Sequence, residues 1–252
     1  MSTTVSPACQ EALPDEAAVR EAKVQRLLIW LGPLMLLLWL ISFAAAGFLP
    51  PHRPSATSGQ IADLYNAHPT MIRVMMVVTM AASALLVPWC IAIAGQIRRI
   101  PGSKALATTQ MISCSLLSLE FIYPVGIWMS TAFRSDDRPV DITRAFNDMG
   151  WILFVLVIWS VWVQMLAIAA AVLMDSHDNP ILPRWVGYLS LWVAVIIIPA
   201  GLVLFFKNGP WAWNGVVGFW IPLTALVTWM LAMTWTVHVA LAKQIAQGTG
   251  PE

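Results

Sequence analysis

Six long apolar runs, separated by short polar segments, set the pattern of the chain. They are Leu27–Phe48, Met71–Ala94, Leu106–Ala132, Trp151–Met174, Val186–Phe206 and Val216–Leu241. A hydrocarbon core of about 30 Å is crossed by about 20 helical residues. Lipid offers no partner for a free backbone N–H or C=O, and these runs are too long for barrel strands. Each run therefore predicts a transmembrane α-helix. The expected fold is all-α, one bundle of six transmembrane helices over residues 27–242. Four acids (Glu11, Asp15, Glu16, Glu21) precede the first run, which is also longer than the apolar core of an ordinary signal peptide. It is expected to stay as a span, despite the small residues Ala44–Ala46.

The polar segments carry their own expectations. Residues 1–26 predict an N-terminal tail, disordered over its polar part with Pro7 and Pro14, and 243–252 a short C-terminal tail. "PPHRP" in the first long loop excludes regular helix, whereas "SGQIADLYNAH" predicts a short helix with Ser58 as N-cap. In "RSDDRPVDITRAFNDMGW", Asp141 or Asp148 is expected to cap the entry to the fourth span. "FFKNGPWAWNG" and the nearby Trp220 suit an aromatic belt at the membrane boundary.

Composition agrees with this picture. Hydrophobic residues make up 59% and charged residues 11%, against about 45–50% and about 25% in soluble domains. A net charge of +1 gives no electrostatic case for nucleic acid, so the expected partners are the lipid bilayer and a membrane protein or second copy of the chain. Lys and Arg favour the side holding the termini by eight to six, with the acid-free cluster "QIRRIPGSK" on that side. Both termini are therefore expected in the cytoplasm. Cys90 and Cys114 lie in apolar runs and read as small core residues.

The candidate chemistry centres on one acid. Glu120 stands near the middle of the third run, at "LLSLEFIYPVGIW". A charge at that depth costs about 2.5–3.5 kcal/mol on insertion scales, so the side chain is expected to face other helices. At 100° per residue Thr109, Ser113 and Thr131 fall within about 20° of it. Pro124 leaves the Glu120 carbonyl without its helical N–H and marks a hinge. Gln164, near the middle of the fourth span, is the expected partner, and Thr224 and Thr228 share one face of the sixth. Two readings stand. Glu120 is a proton, cation or ligand site, or it is a hydrogen-bonded lock between helices.

Other chemistry is sparse. The four histidines are not spaced for a haem, and no H-E-x-x-H, Walker loop, G-x-S-x-G or G-x-G-x-x-G occurs. His52, Asp63 and His68 allow a loop metal site, but solvated loop residues are the expectation. No catalytic residue, metal or cofactor is assigned.

The stretches "GFLPPHRPSATSGQIADLYNAH", "PWCIAIAGQIRRIPG", "PRWVGYLSLW" and "FFKNGPWAWNG…FWIPL", with "AFRSDDRP…FNDMGWILF", resemble in order and spacing a family of uncharacterised bacterial multi-span membrane proteins. The resemblance covers nearly the whole chain from the first span. It implies a bacterial inner-membrane location and supplies no activity. Two functions remain in play. One is an accessory or interaction protein, or one handling an apolar ligand. The other is a small transporter or proton-coupled carrier using Glu120, with Pro33, Pro88, Pro124, Pro199 and Pro222 in or near five of the spans.

Overall fold

The computed structural model describes residues 16–248. Among these residues all regular structure is helical. Six helical stretches are long and apolar enough to cross a membrane: Glu16–Ala45, Pro69–Ile97, Lys104–Phe133, Val140–Met174, Arg184–Phe205 and Val216–Gln247. The protein is an integral membrane bundle. With six spans, Glu16 and Gln247 lie on one face of the bundle, here the terminal face; the opposite one is the distal face.

Two spans, the first and the fourth, begin 11 residues before their apolar runs. The first starts with α1 (Glu16–Leu28) and continues as α2 (Leu31–Ala45). Residues 16–26, expected within a disordered tail, are therefore helical, while residues 1–15 lie outside the described region. The reason is tertiary. Ala18, Ala22 and Gln25 form a narrow buried stripe, and Gln25 lies against Gly95, where a Cβ would come within 2.4 Å of its Oε1. Polar composition hid a helix whose contact face is made of small residues. At the other end the last helix runs on to Gln247 and stops at Gly248, φ 65°, so the expected tail from 243 is partly helical.

The distal loops hold α3 (Ser58–Ala67). Its N-cap is Thr57 rather than Ser58. Thr57 Oγ1 accepts from Gln60 N at 3.3 Å, and Thr57 N donates to Gln60 Oε1 at 3.0 Å, a reciprocal capping box. Ser58 is thus free to donate to Asp141 Oδ1 at 2.6 Å. Asp141 sits in the first turn of α7 (Val140–Val155), whose N-cap is Pro139, and Asp148 lies inside that helix, so neither acid is the cap. α7 begins at Val140 instead of Trp151 because its first turns bury Thr143 and Asn147. Tyr65 on α3 donates to Asn147 Oδ1 at 3.2 Å.

The remaining spans are α4 (Pro69–Ser83) with α5 (Leu86–Ile97), α6 (Lys104–Phe133), α7 with α8 (Ile158–Met174), α9 (Arg184–Ile197) ending in a 3₁₀ stretch Ile198–Phe205, and a π stretch Val216–Trp220 leading into α10 (Ile221–Gln247). Five of the six are irregular. A proline cannot donate to the carbonyl four residues back, and the breaks near residues 29–30 and 84–85 lie beside Pro33 and Pro88. Pro199 opens the 3₁₀ stretch and Pro222 follows the π stretch. The break at Leu156–Val157 has no proline. Pro124 lies inside α6, which is helical without interruption from Lys104 to Phe133.

Helices approach closely where tryptophan meets glycine. A Cβ on Gly32 would stand 2.4 Å from Trp89 Cδ1, and one on Gly150 would stand 2.3 Å from Trp128 Nε1. Small residues let membrane helices pack without a hydrophobic drive between them. The Trp89 indole also donates to Thr234 Oγ1 at 3.0 Å, tying α5 to α10.

Candidate functional site

Glu120 finds its partner on the fourth span, but the partner is Ser160 rather than Gln164. Ser160 Oγ donates to Glu120 Oε2 in a short hydrogen bond. Ser160 is buried, and Glu120 keeps part of its surface exposed. Gln164, one turn along the same face of α8, is fully buried and donates through Nε2 to Gln110 Oε1 at 3.4 Å. Gln110 Nε2 in turn donates to the Cys90 carbonyl at 2.9 Å. Cys114 Sγ donates to the Leu86 carbonyl at 3.7 Å, a second link from α6 to α5. A polar seam therefore joins α5, α6 and α8, with Glu120–Ser160 at one end.

The other expected members of the site are dispersed. Ser113 and Thr131 are buried, and Thr131 donates to Ile127 O of its own helix at 2.7 Å. Thr109 is exposed. Thr224 and Thr228 are exposed too and donate to their own helix, at Trp220 O and Thr224 O, each 2.8 Å. Their hydroxyl protons are spent within their own helix, and neither side chain lies at a helix–helix interface. Residues missed from the sequence are Gln110 and Ser160. Ser160 was findable, since it precedes Gln164 by four and so shares its face.

Near the terminal face a second polar knot joins Gln96, Arg99 and Gln244. Gln96 Nε2 donates to Gln244 Oε1 at 2.9 Å, and Arg99 Nη1 donates to Gln96 Oε1 at 2.8 Å. Asp175 sits in the turn after α8 with its carboxylate buried. Burial opposes its charge, but the N–H groups of His177 (3.1 Å) and Ile181 (2.9 Å) and the His177 ring outweigh it and hold the carboxyl below the usual range. Among the described residues no three His, Cys, Asp or Glu side chains converge as metal ligands.

An apolar cavity lies apart from Glu120, which does not line it. It has a volume of about 100 Å³ at the bundle centre. All six spans contribute a wall: Met35, Leu86, Phe121, Ile158, Ala200 and Leu226, in that order. The helix irregularities gather here. Leu86 follows the break at 84–85, Val157 lies in the break of the fourth span, Ala200 lies in the 3₁₀ stretch, and Phe219 in the π stretch. Most of the half-exposed lining residues (Leu36 and Trp39, with Leu223, Leu226 and Val227) belong to the first and sixth spans, so the mouth opens sideways between them.

Aromatic rings roof this cavity on the distal side. Trp39 packs edge-on to Phe121 at 4.5 Å, Phe121 meets Phe154 at 5.8 Å, and Trp128 and Trp151 continue the stack at 5.0 Å. Above them His52 meets Trp151 edge-on. Burial pushes the His52 imidazole below its usual pKa, and its Nε2 has no hydrogen-bond partner in the protein. Trp213, expected at an aromatic belt, is buried instead and donates to the His52 carbonyl at 2.8 Å, pinning the third distal loop to the first.

Comparison with protein-family models, with curated proteins and with solved structures returned no match.

Proposed function

We propose that this is a bacterial inner-membrane protein that binds an apolar chain within the bilayer, either for its own handling of a lipid-like ligand or as an accessory to another membrane complex. The observation that carries this reading is the central cavity. It is walled by apolar side chains from every span, and it opens toward lipid between the first and sixth. An apolar void of about 150 Å³ stays dry and accepts benzene. By that scale about 100 Å³ takes some four carbons. The cavity therefore suits the end of a chain, with the rest lying in the lateral mouth. Broken helices inside a membrane are tolerated where they line a cavity, and their convergence here supports a site over a packing fault.

A neutral alkyl diazirine, added to the protein in phosphatidylcholine nanodiscs and photolysed, tests the reading. Label is expected on the cavity wall, at Ile158 and Leu226, and Ala200→Phe should reduce it there by filling the space. Label confined to lipid-facing positions such as Leu37 and Leu40, unaltered by Ala200→Phe, would refute it.

A further inference from the structure

The distal face carries a charged pocket. Its volume is about 200 Å³, and its walls include Arg53, Ser55, Lys207, Asn208 and Asn214. The two cations come from different loops, the one after the first span and the one after the fifth. Those loops are held together by the bond from Trp213 Nε1 to the His52 carbonyl. Among the described residues neither Arg53 nor Lys207 is held in a salt bridge. Lys207 acts on Asp148 through its charge alone, and Asp148 also pairs with Arg144 at 3.8 Å. Two cations with a hydroxyl and two amides form a donor set suited to the oxygens of a phosphate.

Backbone hydrogen bonds join the rim of this pocket to the wall of the cavity. Gly209 lines the pocket, Gly218 lines the cavity, and the carbonyl of Pro210 accepts from Val217 N at 2.8 Å and Gly218 N at 3.1 Å. Gly215 and Gly218 let the two segments lie this close, since a Cβ would stand 2.3 Å from Pro210 O at the first and 2.4 Å from Ala212 O at the second. The charged pocket is thus bounded by loops of the first, fifth and sixth spans, and the cavity mouth lies between the first and sixth.

We propose that Arg53 and Lys207 hold the phosphate head of an amphiphile whose apolar chain enters the central cavity from the lateral mouth. The inference rests on the apolar-chain reading and adds the charge and side of the ligand. The occupant is a phosphate-bearing lipid, in preference to a neutral lipid or a free anion. Free phosphate fits the donor set but leaves the apolar cavity unexplained.

Competition against the alkyl diazirine at Ile158 and Leu226 provides the test, with dodecyl phosphate, dodecanol and inorganic phosphate as competitors. Dodecyl phosphate should compete about tenfold better than dodecanol, the gain expected from two exposed ionic contacts. In Arg53→Gln/Lys207→Gln that advantage should vanish while dodecanol competes as before. Added salt should shrink it in the wild type. Equal competition by the two dodecyl compounds in the wild type, or an advantage that survives the double substitution, would overturn the head-group site and leave the apolar site standing. Direct binding of inorganic phosphate as tight as that of dodecyl phosphate would overturn the amphiphile in favour of a free anion. Absence of cavity labelling would sink both the site and the reading beneath it.

Discussion

Gly150→Ala sets two local rules against each other. Gly150 lies in the interior of α7, where alanine is favoured over glycine by about 0.8–1 kcal/mol. Propensity alone therefore makes the variant more stable. Packing reverses the sign. The new Cβ would stand 2.3 Å from Trp128 Nε1 and 2.7 Å from Cδ1, whereas comfortable contact needs about 3.5 Å. The indole must retreat by about 1.2 Å, the difference between those two distances. It has no free direction, being fully buried among Phe43, Phe48, Trp151 and Phe154 at centroid distances of 5.0–5.6 Å. Overpacking of this kind costs about 1–3 kcal/mol. Part of the worth of the ring pairs, about 0.5–1.5 kcal/mol each, is lost as well. After the helix gain is subtracted, a net loss of about 1–2 kcal/mol is expected. Unfolding in nonionic detergent, followed by helical circular dichroism, measures it. In a Trp128→Val background the same Gly150→Ala change should become neutral or stabilising, because the colliding atoms are gone. Gly150→Ala as stable as the wild-type protein would refute the reasoning.

Two further predictions concern the ionisable groups. Ser160→Ala should cost about 1 kcal/mol in the same unfolding assay. Glu120→Gln should cost less, since its amide oxygen can still accept from Ser160, and should leave proton flux in sealed vesicles unchanged; lost flux would restore the carrier reading. Acidification should reveal His52 before Asp175. The folded-state pKa of His52 is depressed, so its stability contribution is complete above about 6.5 and is lost as pH falls through the folded value. The Asp175 contribution is complete above about 3.9 and disappears only as pH falls further, through its own lowered value. The midpoint of thermal unfolding should therefore drop between pH 7 and pH 5, and His52→Gln should flatten that drop; an identical drop in the variant would show that another group causes it.

The spans were legible because about 20 consecutive apolar residues leave few alternatives in a bilayer. Polar residues were harder to interpret. Glu120 was expected to need a partner in another helix, and Ser160 of the fourth span donates to it. The choice of Gln164 followed depth along the helix, whereas Gln164 turns toward Gln110. α1 was missed because its buried face consists of two alanines and a glutamine, which carry almost no hydrophobic signal. The prolines were visible, but their consequences were not. Pro33, Pro88, Pro199 and Pro222 accompany interruptions, and Pro124 does not.

The cavity was illegible for a more general reason. In water-soluble helices the apolar stripe reveals the inward face. In lipid both faces are apolar, and hydrophobicity loses its directional content. On α2, Met35 lines the cavity while Leu37 and Leu40 face outward, with nothing in their chemistry to separate them. Directional information survives only in residues that lipid tolerates poorly or that shape the backbone: glycine under an indole, a glutamine in the interior, a proline ending a turn. The cavity is lined by none of the polar residues in that set, yet it lies where helix interruptions from four different spans converge.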